Sequence, residues 1–230
     1  VWHCGKTPLP ETTSISYVQG ITGNRYFNNV QHCASYWVCP VCSAKIAYER
    51  VDEIYQALKE YLNQGYEIYF GALTLPHYQN EGLKNNLEIL IEGFNWVKEH
   101  RAVRSLLPDK LIYLRSLEIT FGVNGWHPHL HPIFILPKGR GQQYINQFRK
   151  YWLNWLSENN KLTEYTERRA ASFEIWDKKI ETLSDYVCKW SIQHEVANGQ
   201  NKHSKTSAGH TPFQILEILS EGKTWNLKQD

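Results

Sequence analysis

Leu117-Glu118-Ile-Thr120-Phe-Gly122-Val-Asn-Gly125-Trp126-His127-Pro-His129-Leu-His131-Pro-Ile-Phe-Ile135 is the stretch that decides the reading of this chain. Two runs, 111–121 and 130–136, have strand composition, and between them 122–125 carries the Asn-Gly pair favoured in tight hairpins. Side chains two apart on a strand share a face, so His129 and His131 aim together. Folding back at Asn124-Gly125 brings Glu118 roughly opposite them. Two imidazoles and a carboxylate suit a hard or intermediate cation, Mg²⁺ or Mn²⁺, with positions left for phosphate oxygens. His127, before Pro128 near the turn, is read as supporting that set or facing nucleic acid rather than as a first-choice ligand. Trp126 is the candidate for stacking on an unpaired base, and Arg115 for a DNA contact.

Outward from the hairpin, strands and helices do not alternate regularly. Helical periodicity begins at Ser43 and stops at Gly65, and recurs over 83–100 and over 142–156, where Tyr144, Ile145, Phe148, Tyr151, Trp152 and Trp155 form one broad apolar face. Strand composition marks 68–75, ending at Pro76, and 171–176. A long helix is expected over 180–196, a mobile polar stretch over 201–210 and a short helix over 212–219. This pattern favours an α+β fold, a central antiparallel sheet flanked by helices. Residues 1–48 are read as a small cysteine-rich, zinc-binding subdomain and 49–230 as the main domain.

The cysteines carry the subdomain. Cys4, Cys33, Cys39 and Cys42 lie in the first 42 residues, in a segment rich in Gly and Pro with little core material; Cys188 stands alone and reads as a small buried side chain. A Cys-Pro-Val-Cys spacer lets one turn present two thiolates to one ion, so the four are expected to close a structural Zn²⁺ site. His3 and His32, each beside a cysteine, stand as substitutes for one ligand. A secreted disulfide scaffold would spread its cysteines more evenly, which argues for a reducing, cytoplasmic location. Aromatic residues make up 13% of the 230, which excludes disorder, and no apolar run approaches the roughly 18 residues of a membrane span. Net charge is only +2, so binding to a polyanion has to come from local clusters: Arg101, Arg104, Lys110 and Arg115; Lys138, Arg140, Arg149 and Lys150; and 202–205. Position 1 is Val and no Met occurs, so the chain reads as a fragment or a processed product.

One more motif, Ser184-Asp-Tyr186-Val-Cys188-Lys189-Trp, would place the Tyr hydroxyl and the Lys ammonium on one helical face. Tyr-x-x-Lys alone is common, and a half-buried Tyr beside a solvated Lys explains it equally well. Taken with the rest it acquires meaning. Gly-Trp-His-Pro-His-Leu-His resembles the paired-histidine motif of HUH endonucleases. In order with Leu-Glu-Ile-Thr, Tyr-Val-Cys-Lys and Cys-Pro-Val-Cys-Ser-Ala-Lys-Ile, it resembles the plasmid rolling-circle replication initiators (Rep proteins) that carry an N-terminal cysteine segment.

That resemblance implies a metal-dependent nickase acting on single-stranded or hairpin origin DNA, with a host helicase as a further partner. It makes Tyr186 the nucleophile that becomes joined to the 5′-phosphate and Lys189 its electrostatic neighbour, with His129, His131 and Glu118 holding the ion. Some relatives place a glutamate one helical turn before the tyrosine; here position 182 is Thr, and Glu181 and Asp185 lie on other faces, so water activation is unassigned. Two alternatives stay open: an HUH transposase, and a non-catalytic zinc-containing nucleic-acid-binding module.

Overall fold

The computed structural model describes residues 3–19, 25–36, 38–175 and 209–222. Its centre is a four-stranded antiparallel sheet in the order β4-β5-β3-β6, built from β3 (Tyr66–Leu73), β4 (Ile112–Gly122), β5 (Gly125–Pro137) and β6 (Ala171–Ile175). A separate ribbon pairs β1 (Ser16–Gln19) with β2 (Arg25–Asn28). The helices are α1 (Pro40–Asn63), α2 (Leu83–Glu99), α3 (Arg101–Arg104), α4 (Gly141–Glu158), α5 (Glu164–Glu167) and α6 (Pro212–Ser220).

Strand alternation gives the sheet two faces of different character. Tyr69, Leu73, Leu130, Phe134 and Leu136 point into the larger core, where Leu90, Phe94 and Val97 of α2 and Tyr144, Phe148, Trp152 and Leu156 of α4 cover them. Trp152 and Trp155 belong to that packing, each donating its indole N–H to a backbone carbonyl, of Ala170 and Ile89. Gly93 lets α2 and α4 approach, since a Cβ there would strike the Trp155 indole.

On the other face, Ile68, Phe70, Ile133 and Ile135 pack under Leu58 of α1. Continuing along β5, that face carries His131, His129 and His127. One strand therefore serves as core at its C-terminal half and as a polar site at its N-terminal half.

Three prolines fall in β5, at 128, 132 and 137, and the first is why the run read from composition began only at 130. Pro128 lies beyond the last pair with β3, Leu73↔Leu130, where its missing N–H costs no ladder bond to that strand. Pro132 coincides with the break in that ladder between Phe70↔Ile133 and Leu73↔Leu130. The turn itself is tight: Gly122 pairs with Gly125 across Val123-Asn124, and Gly125 takes φ +90°.

Helix α1 starts at Pro40, three residues before Ser43, because Pro at the first helical position gives up an N–H that has no partner there. The boundary expected after residue 48 falls inside α1, which runs unbroken from the cysteines to the sheet. His210, at the end of the stretch read as mobile, exchanges backbone hydrogen bonds with Phe121 on the outer edge of β4. A capping box of Thr211 and Gln214 then starts α6. The helix expected over 180–196 lies outside the described residues.

Candidate functional site

The β4–β5 ladder runs unbroken from Ile112↔Ile135 to Gly122↔Gly125, placing Glu118 opposite His129, Ser116 opposite His131 and Thr120 opposite His127. Cross-strand partners share a face, so the carboxylate and the three imidazoles gather on the face that α1 leaves uncovered. Glu118 Oε2 lies 3.5 Å from His131 Nε2. Two atoms bound to one ion at about 2.1 Å and a right angle stand about 3 Å apart, so this pair fits a shared divalent cation with little movement. His131 is 4% exposed and stacks on Phe70, whereas Glu118 is 34% exposed at the open side.

His129 is turned the other way. Its Nε2 is hydrogen-bonded to His127 Nδ1 at 3.1 Å, and its ring centroid is 6.0 Å from that of His131. His127 Nε2 in turn meets Thr74 Oγ1 at 2.9 Å. The ring of His77 stacks on His127 at 3.9 Å. Residue 77 follows Pro76 in a loop with no periodicity, so nothing in the sequence marked it; only the register of β3 against β5 brings it here. Burial, followed by the neighbouring charges of His129 and His77, pushes His127 down to about 3. Burial also pushes His129 down to about 4, although Glu118 opposes it. Burial lowers His77 as well. Near neutral pH these rings are therefore uncharged, the form in which imidazole ligates a metal.

The other proposed DNA contacts of the hairpin point away. Trp126 packs edge-on against Phe121 at 4.9 Å, its partner across the ladder. The Arg115 guanidinium lies 5.4 Å over Phe94, on the α2 side of the sheet, and so stands apart from the histidines. A cavity of about 350 Å³ beside His127 is lined by Thr74, His77, Asn124 and Arg169 among others. Tyr186 and Lys189, like Cys188, lie outside the described residues; the described chain leaves the sheet at Ile175 on one edge and resumes beside β4 on the other.

Around the N-terminus of α1 the four cysteines converge. Cys4 Sγ lies 3.3 Å from Cys42 Sγ and 3.4 Å from Cys39 Sγ, and Cys33 Sγ 3.7 Å from Cys42 Sγ. All four sulfurs fall within 4.8 Å of one another, and among the described residues no other set of three or more ligating side chains is so tight. These separations are far beyond a disulfide's roughly 2 Å and close to the roughly 3.8 Å edge of a tetrahedron of thiolates around one Zn²⁺. The cluster could thus hold a metal ion. The N–H of Ser35 heads the influences that bring the Cys33 thiol down to about 7, so one thiolate is available near neutrality. His3 is not drawn in: its Nδ1 pairs with Thr7 Oγ1 at 3.2 Å on the surface.

Among the described residues no helix is long and apolar enough to cross a membrane. Comparison with known proteins finds a family model described as "Replication protein" matching residues 24–190, which takes in Cys33 to Cys42, the histidine hairpin and Tyr186. The curated "Protein rep" of Streptomyces lividans is 24% identical over 271 residues, covering 93% of this chain and 58% of that protein. The "Neomycin resistance protein" of Streptomyces cyanogenus is 26% identical over 163 residues, covering 59% of this chain and 37% of its own length. This chain therefore spans little more than half of the one and about a third of the other. No solved structure matches. Because the family match extends over well more than half of the chain, across three of the four clustered cysteines and the histidine hairpin, the chain belongs to the replication protein family.

Proposed function

We propose that this protein initiates rolling-circle replication of a plasmid by nicking one strand of its origin through a covalent phosphotyrosine. The observation that carries the reading is the placement of Glu118, His131 and His129 on one sheet face, with Glu118 against His131, in a chain of the replication protein family. Glu118 and His131 are already paired; His129 would join by exchanging its bond to His127 for the ion, while Thr74 continues to hold His127. A bound Mg²⁺ or Mn²⁺ would withdraw charge from the scissile phosphate. Tyr186 is the nucleophile: its phenol oxygen forms a bond to phosphorus, the bond from phosphorus to the 3′-oxygen breaks, and that oxygen departs with a proton as a priming hydroxyl. Lys189 holds the phenol near its anionic form. The four cysteines would hold Zn²⁺, which would fix the start of α1 against the preceding loops in place of a hydrophobic core.

The test uses the full chain with Mn²⁺ and a 3′-labelled pool of random-sequence single-stranded DNA, followed by mass mapping of peptides that gain a nucleotide. A gain confined to the peptide containing Tyr186, absent from Tyr186→Phe, supports the proposal. An adduct that persists in that variant, or none with the unmodified protein, overturns it.

A further inference from the structure

On the α2–α4 side of the sheet, at the end of β4 away from the histidines, lies a cavity of about 890 Å³. Four cations line it, Lys98, Arg101, Arg104 and Lys110, against two carboxylates, Glu99 and Asp109. The lining thus carries a net +2, as much as all 230 residues together. Lys98 and Arg104 lean on Glu99, at 2.6 and 4.0 Å. Arg101 and Lys110 form no ion pair among the described residues. Apart from Ser105, the remaining wall is aliphatic and aromatic, with Leu107, Leu111 and Tyr113 among its residues.

Tyr144 also lines this cavity. It is 0% exposed, its ring packs edge-on against Phe134 at 5.5 Å, and its hydroxyl has no hydrogen-bond partner among the described residues. Phenylalanine would fill the same space without the cost of burying an unbonded hydroxyl. A hydroxyl kept at such a place suits a partner that comes from outside the protein.

We propose that this cavity binds a nucleotide, its phosphate against Arg101, Arg104 and Lys110 and its base along Tyr113, with a hydrogen bond to the Tyr144 hydroxyl. Inorganic phosphate would use the cations but leave the aromatic wall idle; an apolar ligand would leave the cations idle. The nucleotide comes either free from solution or as an unstacked unit of a DNA strand crossing this face. The site lies on the opposite side of the sheet from the histidines, and the inference stands independently of the nicking chemistry.

Binding of dAMP and of a fluorescent 12-mer of dA is measured at one ionic strength for the full chain, for Tyr144→Phe and for Arg101→Gln/Arg104→Gln. Tyr144→Phe keeps the packing and the charge, and circular dichroism with thermal melting confirms its fold. Its affinity should fall about fivefold, and that of the arginine pair variant tenfold or more. Losses for dAMP identify a free nucleotide as the ligand; losses for the 12-mer alone identify a strand. Absence of binding to both probes, or wild-type affinity of Tyr144→Phe for both, overturns the proposal. The second result does so even if the arginine variant weakens, because a nonspecific surface field would produce it.

Discussion

Alanine at Gly125 should cost more than alanine at Gly139, although both glycines adopt positive φ, +90° and +79°. The left-handed strain is common to both and worth about 1 kcal/mol. Around Gly139 a new Cβ meets nothing within 4 Å, whereas at Gly125 it meets the Tyr78 carbonyl oxygen at 3.0 Å, Gln79 Cα at 3.1 Å and the Tyr78 carbonyl carbon at 3.3 Å. These are backbone atoms, tied further by the Gln79 side-chain amide donating to the Val123 carbonyl, so they yield only by moving the loop. Overpacking of that kind adds about 1–2 kcal/mol. Urea unfolding of the metal-free protein should therefore show losses of about 2–3 kcal/mol for Gly125→Ala and about 1 kcal/mol for Gly139→Ala, at unchanged m. Because Gly122↔Gly125 closes the ladder that sets Glu118 against His129, Mn²⁺ affinity should fall only in the first variant. Equal losses in the two proteins would refute the steric reasoning, and unaltered Mn²⁺ binding would refute its link to the site.

The cluster, the imidazoles and a buried ammonium each make a further prediction. If the cluster holds zinc as proposed, Cys39→Ser should reduce bound zinc below one per chain by elemental analysis and cost about 3 kcal/mol or more, since the metal would substitute for a core there. His127 and His129 titrate at about 3 and 4 in the fold and near 6.5 when unfolded, so their folded values are lowered. The stability they permit is complete above pH 6.5 and lost as pH falls toward 4; discounted for exposure, metal-free protein should lose about 2 kcal/mol between pH 6.5 and 5. A flat urea midpoint over that range, or no flattening in His127→Asn, would contradict this. Lys161, 7% exposed, donates to Glu81, to Asn86 Oδ1 at 3.1 Å and to the Pro76 carbonyl at 3.4 Å. Lys161→Ala should cost about 3 kcal/mol by denaturation, and Lys161→Met/Glu81→Leu should recover much of it.

The hairpin was legible because its signals are local: an Asn-Gly turn, and histidines at a spacing of two that can only share a face. The cysteines were legible because sulfur so densely placed in a coreless segment has few alternatives. Strand β2 was not, for Arg25–Asn28 is exposed along its whole length and leaves no alternation to read. The partners of the histidines were hidden for another reason: Thr74 and His77 are brought in by pairing between strands nearly sixty residues apart, which no window of sequence contains. Arg115 was set beside the histidine hairpin by sequence, but the pleat turns it to the opposite face from Glu118, the side that also carries Arg101, Arg104 and Lys110.

Manganese binding followed by electron paramagnetic resonance tests the metal site most directly. The unmodified chain, with its cysteines loaded with zinc, should bind one Mn²⁺ that is lost or weakened at least tenfold in His129→Asn/His131→Asn and in Glu118→Gln, with thermal melting of the metal-free proteins little changed. Mn²⁺ held with the same affinity and spectrum by those variants would contradict the assignment of these three residues.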